Sequence, residues 1–488
     1  MITQQELEKY LWGAATALRG TIDAGDYKQY IFPLMFFKRI SDVYDEEFNN
    51  ALAESDGDLE YAAFAENHNF LIPDGAHWND VRETTTNIGS ALQNAMRAIE
   101  IANPETLHGI FGDASWTNKD RLTDAMLTDL IEHYSQHKLN LKNVPDDKLG
   151  NAYEYLIKEF ADDSGHTAAE FYTNRTVVKL MTMIMDPQPG ESVYDPTCGS
   201  GGLLLNCALH LKDEGKEYRT LKLYGQEINL LTSAIARMNM FMHGIEEFDI
   251  VRGNTLSNPG LLKNDELKKF NVILANPPYS IKSWDRKAFE SDPYGRNLWG
   301  TPPQGCADYA FQQHIQKSLD LGNGRSISLW PHGILFRDAE TNMRKKMIEQ
   351  DQVECVIGLG PNLFYNSPME ACLLITKTNK EESKKDKILF INAVKEVRQD
   401  QNIGYLDKIH IDKIFNAYSK FDCEEDFAVL VDKQEVLDKR ANMAINLYIR
   451  PDSLINRERP NFPTTYNGWQ QSSESLKRSM ENLFKELI

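Results

Sequence analysis

The chain has no apolar stretch long enough to cross a membrane. Its longest run, Tyr30 to Phe37, is eight residues, against roughly 20 for a spanning helix. The N-terminus does not read charged, then apolar, then small in the manner of a signal peptide, so the expected compartment is cytoplasmic, with no membrane partner. Cysteine is sparse: Cys198, Cys207, Cys306, Cys355, Cys372 and Cys423, with no C-x-x-C pair and no His-rich tract beside them. That spacing argues against a disulfide framework or zinc site, and no metal is expected. There is no G-x-x-x-x-G-K-[ST] loop, which argues against a phosphate-driven motor. Internal repeats and low-complexity blocks are absent as well. Basic charge is scarce: 53 Lys and Arg stand against 72 Asp and Glu, a net −19. A chain that grips phosphates alone should carry the opposite sign.

What is present divides into regions, as 488 residues would suggest. Residues 1–165 read as helical. Leu7, Leu11, Ala14, Ala15 and Leu18 recur at three-to-four spacing, Tyr30, Leu34, Phe37 and Ile40 continue it, and a further helix is expected over Asp146–Phe160. Residues 166–380 change rhythm. Strands are expected at Ser192–Tyr194, Lys222–Gly225, Phe248–Val251, Asn271–Ala275, Ser326–Trp330, Val353–Gly358 and Ala371–Thr376. Helices fall between them at Gly202–Lys212, Leu230–Met242, Tyr309–Leu319 and Ala339–Glu349. This alternation predicts an α/β, Rossmann-like, largely parallel sheet with ligands at the carboxyl ends of its strands. The last two strands lack an intervening helix and read as an antiparallel hairpin at one edge. Residues 381–488 form a less readable region ending in an amphipathic helix over Ser472–Ile488. Arg337, Arg344, Lys345 and Lys346 read as a solvated helix face or a DNA-facing patch.

Four strand ends carry polar residues in order. The first runs into Asp195-Pro196-Thr197-Cys198-Gly199-Ser200-Gly201-Gly202, where glycines admit a ligand close to the backbone. Gly-rich turns are common in nucleotide binders, but here an acidic residue leads the loop, which suits a ligand with an amino group and a sulfonium cation. Glu227 ends the second strand and can accept both ribose hydroxyls. Asn254 follows the third, where its amide would accept from an adenine amine. Singly each is a common turn residue; in this order they favour S-adenosylmethionine, with Asp195, Thr197, Gly199, Ser200, Gly201, Gly202, Glu227 and Asn254 as its contacts.

The fourth strand ends in Asn276-Pro277-Pro278-Tyr279. Two prolines also terminate a strand on their own, but that does not account for the whole tetrapeptide. An exocyclic amine conjugated to its ring is a poor nucleophile. Two acceptors, the Asn276 side-chain carbonyl and the Pro277 backbone carbonyl, would each take one N–H and free the nitrogen lone pair for attack on a methyl group. Proline fixes φ and holds its carbonyl in place. Tyr279 offers a face for stacking a base flipped out of a duplex. A second aromatic wall is expected at Phe364 or Tyr365, where a plain hairpin core residue is an equal alternative.

With these motifs the chain resembles the modification subunits of type I restriction–modification systems. The resemblance extends to Leu11-Trp12-Gly13-Ala14-Ala15, Leu18-Arg19-Gly20, Tyr27-Lys28 and Phe37-Lys38-Arg39-Ile40-Ser41-Asp42 near the N-terminus. It implies a helical N-terminal domain, a Rossmann-like S-adenosylmethionine-dependent methyltransferase domain and a helical C-terminal tail making subunit or DNA contacts. Glu170-Phe171-Tyr172-Thr173-Asn174-Arg175 matches that family's cofactor-contacting stretch, with Asn174 where the family usually has proline. The implied activity is N6-adenine methylation of double-stranded DNA. The implied partners are a specificity subunit that reads the target and a restriction subunit that cleaves, with two copies of this chain per complex. A partner gripping the DNA would reconcile the acidic charge. N4-cytosine methylation, methylation of RNA or a protein glutamine amide, and a non-catalytic assembly role are the alternatives. Asparagine at the first motif position favours adenine, where serine would favour cytosine.

Overall fold

The computed structural model describes residues 2–18, 26–163, 172–363, 369–400, 403–449 and 462–486. Glu170, Phe171, Phe364 and Tyr365 lie outside the described residues.

The N-terminal region is built around one helix buried on every side. Helix α1 (Gln4–Ala17) starts at a capping box in which Thr3 and Glu6 satisfy each other's backbone N–H. Helix α2 (Lys28–Glu54) is buried continuously from Tyr30 to Val43, so it is the core of this region and not one of its surface helices. Around it pack α3 (Ile88–Ala102), α4 (Asp124–Ser135) and α5 (Asp146–Asp163). The charges buried on α2 are paired. Lys38 meets Asp42 at 2.5 Å, and Asp42 accepts from the Leu139 N–H. Arg39 donates to the carbonyls of Leu139 and Val144 and to Asp146 at the start of α5. A buried ion is tolerated when its hydrogen-bonding capacity is filled in this way. Here the filling also fixes where α5 begins.

The α/β region opens with α6 (Arg175–Met185), then β1 (Ser192–Asp195), α7 (Gly202–Asp213), β2 (Lys222–Glu227), α8 (Leu230–Met242), β3 (Phe248–Arg252) and β4 (Val272–Ala275). It continues with α9 (Asp308–Ser318), β5 (Arg325–Pro331), α10 (Thr341–Glu349), β6 (Val353–Leu359), β7 (Ala371–Lys377), β8 (Lys387–Ala393), α11 (Lys408–Lys420) and β9 (Ala428–Asp432). One nine-stranded sheet results, in the order β9-β8-β6-β7-β5-β4-β1-β2-β3. Strands β3, β2, β1, β4 and β5 are mutually parallel. Side chains alternate between two cores: Cys355 and Ile357 of β6 join one, Val353 and Val356 the other. Helix α8 faces both ways, with Ala236 and Met240 on the sheet and Ala234, Ile235, Met238 and Met242 in the N-terminal core. The two regions therefore share a packed boundary.

Each expected strand is present and each expected helix between strands as well, with ends shifted by two residues or fewer. The helix expected over Asp146–Phe160 runs three residues further, and the one expected over Ser472–Ile488 starts ten residues earlier, at Phe462. The placement of the hairpin is corrected. Strand β7 is not at an edge: it runs antiparallel between β5 and β6. Beyond β6 the sheet continues into β8, parallel to β6, and β9, antiparallel to β8. The expected boundary at 380/381 is corrected by the same finding, because β8 and β9 belong to the sheet of the second region. The basic cluster on α10 is corrected in part. Arg344 is 1 % exposed and donates to the Ala441 and Arg337 carbonyls, while Arg337 pairs with Asp308 and Glu340. Both are internal struts; Lys345 and Lys346 are exposed. All six cysteines are free thiols, five of them buried. No described helix is long and apolar enough to cross a membrane. The C-terminal segment is α12 (Phe462–Glu486), with Leu476 and Met480 exposed.

Candidate active site at the carboxyl ends of the sheet

Four parallel strands deliver their carboxyl ends side by side in the order β3, β2, β1, β4, so Asn254, Glu227, Asp195 and Asn276 are brought to one edge by register alone. Two connected spaces lie there. A small cleft is lined by Thr173, Arg175, Asp195, Gly199, Ser200 and Gly202, among others. A cavity of about 390 Å³ runs from Glu227, Ile228 and Asn254 past Asn276–Tyr279 to Ile281, Trp284 and Met369. Thr197 and Asn276 line both.

The turn after β1 is shaped by its glycines. Gly201 takes φ +80°, and a Cβ on it would stand 2.9 Å from Met240. A Cβ on Gly202 would stand 1.8 Å from an Arg175 guanidinium nitrogen, so with Arg175 in this position the glycine lets the guanidinium lie against the turn. The Thr197 N–H donates to Asp195 Oδ1 at 2.9 Å and the Gly199 N–H to Glu227 Oε2 at 3.1 Å, while Glu227 Oε1 accepts from the Asn229 N–H at 2.8 Å. Asp195 is 1 % exposed. Burial pushes its carboxyl up to about 8, opposed by the Thr197 N–H and reinforced by the like charge of Glu227. An acidic group in the cleft, Asp195, and another in the adjoining cavity, Glu227, suit a ligand with positive charge.

The turn after β3 is held from behind. Asn254 Oδ1 accepts from the Leu256 and Ser257 N–H groups at 2.9 and 3.2 Å. Thr255 Oγ1 donates to the Pro196 carbonyl, and the buried Arg296 donates to the Thr255 and Leu256 carbonyls, both at 2.8 Å. This corrects the role expected for Asn254. Both lone pairs of its amide oxygen are committed to the turn, so it cannot accept from an adenine amine; its NH2 remains as a donor.

At the end of β4, Asn276 Nδ2 donates to Thr173 Oγ1 at 3.0 Å, which turns Oδ1 toward the cavity side of the amide, where the Tyr279 hydroxyl donates to it. The acceptor expected to meet an amine is thus in place, occupied by the neighbouring phenol. The Tyr279 ring is half-buried, 6.3 Å from Trp330, so it is tucked inward and does not stand as an open stacking face. The next residue, Ser280, has φ +52°, and its N–H donates to the buried Asp308 carboxylate at 2.7 Å. Asp308 is in turn held by Arg337.

Within the stretch 170–175 the described residues do different work. Thr173 and Arg175 line the cleft. Tyr172 is buried beneath the Arg175 guanidinium, 4.5 Å from its ring centroid. Asn174 is corrected: it caps α6 by accepting from Thr176 N–H and Oγ1, and donates to the Gly404 carbonyl at 2.8 Å. With 4 % exposure, it does not face a ligand. Residues the sequence did not single out also line the site. Ile228, 61 % exposed, offers an apolar face beside Glu227, and Trp284 and Met369 close the far end of the cavity. An exposed isoleucine after the strand-end acid was the available signal for the first; the other two come from segments joined only by tertiary packing.

Among known proteins, the N-6 DNA Methylase family model matches residues 144–456 and the HsdM N-terminal domain model matches residues 7–134. A type I restriction enzyme methylase subunit (MpnII) of Mycoplasma pneumoniae is 28% identical over 92% of this chain and 90% of its own length. Another (MjaVIII), of Methanocaldococcus jannaschii, is 30% identical over 87% of this chain and 75% of its own. The crystal structure of a type I restriction–modification methyltransferase subunit from Streptococcus thermophilus superposes with a TM-score of 0.79 at 30% identity, covering 92% of this chain and all of that one. A modification subunit of a putative type I restriction enzyme from Vibrio vulnificus shares the fold, with a TM-score of 0.63 at 20% identity over 89% of this chain and 94% of its own.

Proposed function

This chain belongs to the N-6 DNA methylase family, among the methylase subunits of type I restriction enzymes, and from that premise we propose that it moves a methyl group from S-adenosylmethionine to the N6 amine of a flipped adenine in double-stranded DNA. The observation that carries the reading is the Asn276 side chain, whose amide is oriented by Thr173 with its oxygen toward the shared cavity.

The residues fit the donor in detail. Glu227, and Asp195 once the cationic donor draws it into its ionised form, supply the negative charge that a sulfonium and an amino group call for. Glu227 retains lone-pair capacity for two ribose hydroxyls, the free NH2 of Asn254 donates to a ring nitrogen, and Ile228 covers an apolar face of the adenine. Bound there, S-adenosylmethionine supplies an electrophilic methyl group. Asn276 Oδ1 and the Pro277 carbonyl accept the two N–H bonds of the target amine, which turns its lone pair out of the ring. Tyr279 must leave Asn276 Oδ1 for this to happen, and the hydroxyl that moves aside carries its ring toward the incoming base. Positioning of two reactants by fixed dipoles is the main source of rate in such a site.

The acidic chain works with partners that hold the DNA: a specificity subunit that reads the sequence, a restriction subunit, and a second copy of the chain. The exposed Trp469, Leu476 and Met480 of α12 offer a surface for the specificity subunit. The test is Asn276→Ala in the assembled complex, with methyl transfer followed by isotope incorporation and cofactor binding by calorimetry. Transfer is lost by about 10³-fold while cofactor affinity stays within a few-fold. Wild-type transfer rates in the variant would overturn the reading.

A further inference from the structure

Helix α5 sends one carboxylate into the cofactor turn from outside the sheet. Glu154 accepts from Asn239 Nδ2 at 2.7 Å and forms an ion pair with Arg175. Each partner holds a different part of the turn. The same Asn239 Nδ2, fully buried on α8, donates to the Ser200 carbonyl at 3.0 Å. The Arg175 guanidinium presses on Gly202, where even a Cβ would collide with it. The turn over residues 199–202 is therefore held at Ser200 by one group and lined at Gly202 by another, and both groups converge on one carboxylate.

Glu154 is also tied to the N-terminal core. Its neighbour Tyr153 packs 4.9 Å from Phe32 of α2 and donates to the Ile235 carbonyl of α8 at 3.1 Å. The start of the same helix is fixed by Arg39 of α2 through Asp146. No described residue of α5 lines either space, and Glu154 meets the turn through Arg175 and Asn239.

We propose that Glu154 is a positioning residue for the cofactor turn, through which the seating of the helical N-terminal domain sets the affinity for the methyl donor. The inference rests on the reading of the cleft as the donor site. Removing the carboxylate frees Arg175 to swing off Gly202 and leaves Asn239 holding Ser200 alone. The turn then loosens where the donor's charged end lies, while Asn276 and the base pocket keep their own support from Thr173 and Asp308.

The test uses the full chain with its specificity subunit and compares Glu154→Ala and Glu154→Gln with wild type. A hydrogen bond to a charged group is worth about 10-fold or more. Glu154→Ala should therefore raise the calorimetric Kd and the KM for S-adenosylmethionine by about 10-fold or more, with the KM for DNA unchanged. Glu154→Gln, which keeps an acceptor for Asn239 and loses the charge facing Arg175, should fall between the two. If the alanine variant does not fold, the glutamine variant decides. Cofactor Kd within twofold of wild type in the folded variants overturns the inference. So does a parallel fall of all rates with the folded fraction, which is the mark of a merely structural role. Wild-type protein that binds the donor but does not methylate DNA would instead sink the proposed function. Wild-type protein that fails to bind the donor would remove the premise of both.

Discussion

At the scale of single residues, the acid at the head of the cofactor turn makes the site sensitive to pH. Burial raises the Asp195 carboxyl to about 8, well above its usual value of 3.8. A carboxyl raised on folding contributes stability that is present below pH 4 and is lost as pH rises through 8, because the folded chain holds the proton longer than the unfolded one. A cationic ligand favours the ionised form, so donor binding releases a proton. Affinity for S-adenosylmethionine should rise between about pH 6 and 8. Calorimetry in buffers of different ionisation enthalpy reads the released proton directly, and Asp195→Asn should abolish both effects. Thr173 makes a second case. Its hydroxyl accepts from Asn276 Nδ2, and losing it lets the Asn276 amide rotate. Thr173→Val should lower kcat by about 10-fold, the worth of one oriented hydrogen bond; an unaltered kcat in single-turnover assays would remove Thr173 from the mechanism. Asp195, Glu227 and Asn276 were legible in the sequence because the strand that presents each one announces itself by its apolar run. Glu154 and Asn239 were not, since they sit on helices 85 residues apart and acquire meaning only when those helices pack.

At the scale of elements, α6 depends on an asparagine where relatives of its family usually have proline. Asn174 sits at φ −53°, a value proline also adopts, so both residues serve the same backbone. Asparagine adds the cap and the tie to Gly404. Asn174→Ala should cost about 1 kcal/mol, seen as a lower midpoint in denaturant with the slope unchanged. Asn174→Pro should recover part of it, because its fixed φ restricts the unfolded chain; a proline variant less stable than the alanine one would contradict this account. The strands of the first seven were readable because each is a short apolar run bounded by turn residues. Lys387–Ala393 carries the same kind of run, but a lysine-rich loop before it masks the continuity of the sheet, and Ala428–Asp432 is an edge strand of five residues. Apolar periodicity identifies strands, yet it says nothing of their order. For that reason the hairpin could be foreseen and its place in the sheet could not.

At the scale of the whole molecule, the net charge of −19 fits the proposed function with chemistry and grip divided between chains. The isolated chain should bind duplex DNA with a Kd of about 10⁻⁶ M or weaker at physiological salt, tightening by orders of magnitude with the specificity subunit. Fluorescence anisotropy across a salt series measures both, and equal affinity with and without the partner would refute the division. The buried position of β7 carries a further cost, one of timing. It is the last of three strands to leave the ribosome, yet it must slot between the two made before it, β5 and β6. Until residue 377 has emerged, those two strands expose edges that can pair with each other or with another nascent chain. A chain that has released β6 but not yet residues 371–377 therefore exposes two open strand edges, a state prone to aggregation.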